Sequence, residues 1–454
     1  MIYKNILETI GNTPLVELTR FDTGLCCLFL KLENQNPGGS IKDRVALSMI
    51  RVAEEEGKLK TGGTIIEATA GNTGLGLTLV ARMRGYKIIL VIPDKMSQEK
   101  INHLHALGAE IVLTRSDVGK GHPEYYQDLA LRLSKEKGAF YANQFENPAN
   151  PLAHERTTGP EIWEQLNHDI DAVVVGVGSS GTISGLTHFF KKVSDKTELI
   201  LADPEGSVLA EYVNTGKITK EAGSWLVEGI GEDFIPAIAD FSLTKKAYVI
   251  TDQESFVAAK ELVSSEGILA GSSSGTLLSA ALKYCREQTT PKRVVTFACD
   301  SGNKYLSKMY NDYWLLDQGL FQRKQYGDLR DIISRRFENN ATVYVGPADT
   351  LNTAYKRMKT YDVSQLPVLL GEKVAGIIDE SDLILALYSK GYTMNNTVQD
   401  IMTKGLKIIK NTESIDTLVN ILNEGLVVIV EDENQVFQGL ITKIDLINYL
   451  RNKK

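Results

Sequence analysis

Between residue 11 and about residue 305, short runs of aliphatic and β-branched residues alternate with longer stretches whose apolar positions recur every three or four residues. TIIEA (64–68), KIILVIP (87–93), EIVLT (110–114), AVVVGVG (172–178) and RVVTFAC (293–299) are the clearest of the short runs. Parallel strands buried on both faces read as such unbroken apolar runs, and the helical-period segments between them predict crossovers, hence an α/β unit. Several runs end in Gly, Ser, Thr and Asn. Ligands in open α/β sheets bind beyond the carboxyl ends of the strands, so these polar exits are where chemistry is expected.

The rhythm is lost from about 311 to 340, where charge rises and a linker with some helix is predicted. The chain then repeats itself. GIIDESDLI begins at Gly376 and GLITKIDLI at Gly439, 63 residues on, each preceded by a strand-like run (LPVLL, 366–370; LVVIV, 426–430). Two strand, strand, helix units predict a pseudo-symmetric pair that completes its core by stacking. The expected division is a large unit over 1–310, a linker over 311–335, and repeats over 336–394 and 395–454.

Composition narrows the function. At roughly 150 residues per domain, 454 residues fit this division. With 43% hydrophobic and 24% charged residues, the chain is not disordered or collagen-like. Fifty basic against 57 acidic residues, with no long basic block, leave no footprint for nucleic acid and favour small-molecule chemistry. Four cysteines, Cys26, Cys27, Cys285 and Cys299, make no disulfide framework, so a reducing cytoplasm is expected. The opening MIYKNILETIGNTPLVEL has no signal-peptide pattern and no stretch reaches about 18 uninterrupted apolar residues, so no membrane partner is expected.

Candidate chemistry begins in NPGGSIKDRVALSMI (36–50). Pro37, Gly38 and Gly39 break structure and Ser40 can cap, which puts Lys42 in the first turn of a helix. The helix dipole disfavours a cation there and favours the neutral, nucleophilic amine that a Schiff-base lysine needs. TIIEATAGNTGLGL (64–77) runs from a strand through a tight turn into a helix, so the amides of residues 69–73 are expected to converge on a carboxylate. Asn72 can donate to a phenolic oxygen while its carbonyl is tied to the turn. In AVVVGVGSSGTISG (172–185), Gly178, Ser179, Ser180, Gly181 and Thr182 offer amides and three hydroxyls before a helix, with no P-loop lysine, which suits a phosphate monoester. ILAGSSSGTLLSA (268–280) places Ser272 to Ser274 in another strand-to-helix turn, where a neutral hydroxyl can meet a ring nitrogen.

In that order, these parts resemble the cysteine synthase/cystathionine β-synthase family of fold-type II (tryptophan synthase β-like) pyridoxal-phosphate enzymes. The likeness runs from IGNTPLVEL (10–18) to SKMYNDYWLLDQGL (307–320), and the C-terminal repeat resembles a tandem CBS (Bateman) pair. The resemblance implies a core of two α/β subdomains with pyridoxal 5'-phosphate on Lys42, Asn72 beside its 3-hydroxyl oxygen, Gly178 to Thr182 around its phosphate, and Ser273 facing its ring nitrogen. A serine there does not protonate the ring as a carboxylate would, which favours β-elimination over transamination. Thr69, Ala70, Gly71 and Thr73 would hold the substrate carboxylate, with Gln144 beside them. His103, His105, His122, His154, His168 and His188 match no catalytic position, and no metal site is expected.

DPEGS (203–207), VEGIGEDFIP (227–236, with Gly229) and the CBS pair lean towards condensation of L-serine with L-homocysteine to L-cystathionine and water, with hydrogen sulfide release as a side reaction. The rivals are cysteine synthesis from O-acetylserine or serine with sulfide and, from another class, a non-catalytic adenosyl-ligand sensor. Ala70, Phe145 and Glu232 depart from the residues of many relatives, so the second-substrate pocket is expected to differ; Glu232 is read either as a rim ion-pair partner or as the group that binds the incoming amino group. No haem is expected, because the chain opens at the catalytic domain. Thr442 and Asp445 keep the T-x-x-D pattern that holds an adenosine ribose, with S-adenosylmethionine the implied ligand, whereas the first repeat has Asp379 and Asp382. Family habit implies a homo-oligomer, a dimer at least and a tetramer through the CBS pair as an option.

Overall fold

The chain divides into two units, 1–310 and 311–454. In this computed structural model all residues are described except Met1, Ala70, Lys95, Ser97, Lys120, Gln322, Lys390, Leu426, Lys453 and Lys454. The carboxylate contact expected of Ala70 therefore lies outside the described residues.

Two sheets organise the first unit. One has the parallel order Glu110–Thr114, Lys87–Pro93, Thr64–Ala68, Phe140–Tyr141. The other runs Leu15–Glu17, Cys27–Lys31, Arg293–Phe297, Ala172–Gly176, Glu198–Pro204, Thr244–Ile250, and is parallel apart from its first pair. Both are the α/β layers that the apolar runs predict. The runs at 172 and 293 leave their ladders two residues early, at Gly176 and Phe297, and the released residues turn into the site.

The helices Lys42–Glu55 and Asn72–Arg84 pack together on the smaller sheet, with Val45, Met49 and Ile50 against Leu75, Val80 and Leu90. Gly76 allows this approach: a Cβ there would lie 3.0 Å from the Lys42 carbonyl oxygen and 3.0 Å from Ala46 Cβ. The close crossing holds Lys42 and Asn72, the first residues of their helices, in one neighbourhood.

In the second unit the repeat is structural. Strands Gln365–Leu370 and Lys373–Asp379 lead into helix Glu380–Ser389, and strands Val428–Glu431 and Phe437–Ile441 lead into helix Lys443–Asn452. The stretch 311–335 is more than a linker, because Leu329, Ile332 and Ile333 are buried with Ile409, Leu418, Val428 and Ile441. Among the described residues no helix is long and apolar enough to cross a membrane.

Candidate active site

Lys42 opens its helix as predicted, and its backbone N–H donates to Ser40 Oγ at 3.3 Å. Burial pushes its amine below the ordinary lysine range, against opposing pulls from Cys299, Asp300 and Glu232. The helix is anchored two residues on. Arg44 is buried between Glu33 (2.8 Å) and Glu161 (2.6 Å), and Lys31 joins Glu161 at 2.9 Å. Burial alone would raise the Glu161 carboxyl, yet the hydrogen bonds and charge of Arg44 hold it to about 2.

Asn72 is tied differently from the expectation. Its Oδ1 accepts from Lys304 Nζ at 2.9 Å rather than from its own turn, and its Nδ2 donates to Asp300 Oδ2 at 2.7 Å. Tyr305 donates to the same Asp300 oxygen at 2.6 Å, while Asp300 Oδ1 is buried with no partner. Lys304 also donates to the carbonyls of Gly38 (3.1 Å) and Gly39 (3.0 Å), so one ammonium ties the turn before Lys42 to the start of the Asn72 helix.

The loop after Thr64–Ala68 offers fewer amides than expected. The Thr69 amide donates to the Val91 carbonyl, and Thr69 Oγ1 accepts from the amides of Gly71 (3.1 Å) and Gly74 (3.3 Å). Thr73 and Gln144 are brought together, Thr73 Oγ1 donating to Gln144 Oε1 at 2.7 Å. Phe145, the next residue, pairs with Phe234 of the 227–236 loop at 5.7 Å between ring centres.

The loop 178–182 has the form of an anion cradle. Ser180 takes φ +70° at the N-cap of helix Gly181–Val193, whose first amides receive no capping side chain, and Ser180 Oγ is buried without a partner. A Cβ on Gly181 would lie 1.8 Å from Asn150 Oδ1, so only glycine fits that turn. The other two hydroxyls are already engaged: Ser179 Oγ accepts from Asn150 Nδ2 at 3.0 Å, and Thr182 Oγ1 contacts His154 Nε2 at 3.3 Å. His154 is therefore not incidental. Burial, with Lys42 and Arg44 nearby, holds its imidazole well below the usual range, a neutral support behind the cradle. A phosphate ester fits this arrangement, since bare helix amides and an orphaned hydroxyl converge at a position with no room for a side chain.

Ser273 lies buried in the first turn of helix Ser272–Arg286. An isolated bridge from Ala270 to Ser301, rather than a full strand, precedes it. Ser272 Oγ accepts the Glu228 amide at 3.0 Å, which brings the 227–236 loop to the same place. In that loop the Gly229 carbonyl would meet a Cβ on Gly178 at 2.7 Å, and Glu232 Oε1 would stand 3.8 Å from it. Glu232 thus faces both the cradle and Lys42. Sequence reasoning missed Asp300, Lys304, Tyr305 and Cys299; the signal was the polar exit CDSGNKY after the strand-like run at 293–297.

In the second unit Asp445 Oδ2 accepts from the Thr442 amide (2.7 Å) and hydroxyl, and Asp445 Oδ1 accepts from Ser334 Oγ. In the first repeat Asp379 and Asp382 accept each other's amides, at 2.8 and 3.1 Å.

Residues 6–300 match the family described as pyridoxal-phosphate dependent enzyme, and 329–389 and 398–452 each match the CBS domain. A protein of Apis mellifera named cystathionine beta-synthase is 36% identical over 464 residues, 99% of this chain and 91% of that one. A cysteine synthase of Staphylococcus aureus is 42% identical over 306 residues, covering 67% of this chain and 95% of that one. The crystal structure of O-acetylserine dependent cystathionine beta-synthase from Helicobacter pylori aligns with TM-score 0.63 and 36% identity, over 68% of this chain and 98% of that one.

Proposed function

The chain belongs to the pyridoxal-phosphate dependent enzymes, within the cystathionine β-synthase family that carries two CBS domains, and we propose that it condenses L-serine with L-homocysteine to L-cystathionine and water. The observation that carries this choice is the extent of similarity. The cystathionine beta-synthase of Apis mellifera matches through both CBS domains, whereas the cysteine synthase match covers only 67% of the chain.

Pyridoxal phosphate, when bound, supplies an electron-accepting ring that stabilises negative charge at the Cα of an amino acid. Lys42 would hold it covalently and, once released, take the Cα proton, a task suited to an amine that burial keeps below the ordinary range. Asn72, Gly178 to Thr182 and Ser273 would position it. Thr69, Gly71, Thr73 and Gln144 would bind the carboxylate of the first substrate, and Phe145, Gly229 and Glu232 would shape the pocket of the second. Ser273 would offer that ring a neutral hydroxyl rather than a carboxylate, which favours loss of the β-substituent over transamination.

A second reading, with O-acetylserine in place of serine, is favoured by the likeness to the Helicobacter pylori enzyme. Product formation from serine plus homocysteine, O-acetylserine plus homocysteine, and O-acetylserine plus sulfide separates the readings. Cystathionine from serine is expected to form fastest, and much faster use of sulfide would overturn the proposal. Lys42→Ala should abolish both turnover and the borohydride-fixable cofactor adduct, read by mass spectrometry.

We further assign an adenosyl ligand to the Thr442 and Asp445 cleft. A homo-oligomer, a dimer at least, is supported by exposed Ile384, Leu385 and Tyr388 on one CBS helix and Ile444, Ile447 and Leu450 on its counterpart. A reducing cytoplasm suits the four cysteines, none of which is paired with another.

A further inference from the structure

The segment 150–158 lies behind the loop 178–182 and holds two of its three hydroxyls. Asn150 Nδ2 donates to the Gln144 carbonyl at 2.8 Å and to Ser179 Oγ at 3.0 Å. Four residues on, His154 Nε2 lies 3.3 Å from Thr182 Oγ1, and His154 Nδ1 lies 2.9 Å from Thr158 Oγ1. All five of these residues are buried. Residues His154–Thr158 form a single π-turn, closed by the Gly159 amide on the His154 carbonyl. Helix Gly181–Val193 is pressed against it: a Cβ on Gly185 would lie 2.2 Å from the Pro151 carbonyl oxygen and 2.7 Å from His154 Cβ. That close approach is what lets the ring reach the first turn of the helix.

The hydroxyl protons can be placed by counting acceptors. Asn150 Nδ2 only donates, so the Ser179 proton points elsewhere. Among the described residues the Thr158 hydroxyl has no hydrogen-bond partner besides His154, and a buried hydroxyl proton without an acceptor is costly. That proton therefore goes to Nδ1. Burial, with Lys42 and Arg44 nearby and against the pull of Glu161, keeps the ring neutral, so its one proton sits on Nε2.

We propose that His154 is a positioning residue for the cofactor's phosphate: its Nε2–H donates to Thr182 Oγ1, so that the Thr182 hydroxyl proton points into the cradle. This rests on the phosphate placement given above and deepens it, from which residues line the cradle to which way their protons face. Asn150 does the same for Ser179, and Ser180 Oγ has no partner among the described residues. The loop thus presents hydroxyl protons, beside the bare amides of the helix, to a group that only accepts. A fully ionised phosphate ester is such a group. The opposite tautomer would draw the Thr182 proton back onto Nε2 and turn the hydroxyl's lone pairs towards the phosphate.

The test compares full-length wild type with His154→Gln, which keeps a side-chain N–H near the place of Nε2, and His154→Leu, which removes it. Each is stripped of cofactor and titrated with pyridoxal phosphate, and phosphorus-31 NMR then reads the bound phosphate. Loss of one oriented hydrogen bond predicts that His154→Leu weakens uptake by about three- to tenfold and shifts the phosphorus resonance. His154→Gln should restore affinity to within about twofold and return the resonance towards its wild-type position. Because His154 acts through Thr182, adding His154→Leu to Thr182→Val should change affinity by less than about twofold. A role in packing alone would lower thermal stability, leave the resonance in place and make the two substitutions additive. If the variants fail to fold, wild type serves: nitrogen-15 NMR of histidine-labelled protein, with or without cofactor, should show the proton on Nε2 of the ring that resists protonation longest as pH falls. A proton on Nδ1 of that ring, a phosphorus resonance unmoved by His154→Leu, or full additivity with Thr182→Val overturns the proposal. These readouts precede turnover, so a wrong assignment of the second substrate leaves them unmoved, whereas wild type that takes up no pyridoxal phosphate refutes the parent reading instead.

Discussion

Glu67 shows how much a single carboxyl can hold beneath the site. It is fully buried near the end of strand Thr64–Ala68, under the loop that carries Thr69 and Gly71. One oxygen accepts the Gln144 amide at 3.4 Å, and the other has no partner. Burial pushes the group from an ordinary 4.5 up to about 8, so the folded protein keeps it protonated at neutral pH. A carboxyl raised on folding gives its full stability below its unfolded value and loses it as pH rises through its folded value. The window therefore runs from about 4.5 to about 8. Glu67→Gln, which cannot ionise, should match wild type near pH 5 and exceed it by about 3 kcal/mol at pH 8. Thermal denaturation of both proteins across that range measures the gap, and parallel curves would refute a protonated Glu67.

Between elements, Lys304 is the tie that sets the site. From the short helix Gly302–Lys304 it reaches the turn before Lys42 and the first residue of the Asn72 helix, joining segments more than 200 residues apart. Burial lowers its amine to about 8, against the pull of Asp300. Above that pH the amine keeps two N–H groups for three acceptors, so cofactor affinity should fall as pH rises past about 8. Lys304→Met should weaken affinity by about tenfold at pH 7 and remove that alkaline step, read by equilibrium titration with pyridoxal phosphate. The contrast with what local pattern reveals is physical. Strands 64–68, 87–93 and 110–114 are legible to the residue because each is a short aliphatic and β-branched run, interrupted in its interior only by Glu67. Strand Cys27–Lys31 is not, since buried Lys31 is accommodated by the Thr13 carbonyl and by Glu161 and Gln165, the last two at least 130 residues away. Likewise Lys42, Asn72, Gly178 to Thr182 and Ser273 stand out because Gly and Ser turns at helix starts are written locally. Asp300, Lys304, Tyr305 and His154 take their roles from distant partners, which no spacing discloses.

At the scale of the whole molecule, each unit has its own hydrophobic core, so the full chain should melt in two transitions. An adenosyl ligand in the Thr442 and Asp445 cleft should raise only the transition of the second unit. At a hundredfold excess over its dissociation constant the gain is about 2.7 kcal/mol, a rise of roughly 5 °C or more. Asp445 is not free to meet a ribose as it stands: its Oδ2 caps helix Lys443–Asn452 through Thr442, and its Oδ1 accepts from Ser334. A ligand diol must therefore displace Ser334 while the cap persists. Ser334→Ala removes the competing hydroxyl, leaves the cap in place, and should tighten S-adenosylmethionine binding by about three- to tenfold in calorimetry. Asp445→Ala should abolish that binding while also lowering the second transition through loss of the cap. The pair separates the two roles of Asp445: unchanged affinity in Ser334→Ala together with unchanged heat in Asp445→Ala would place the ligand in another cleft.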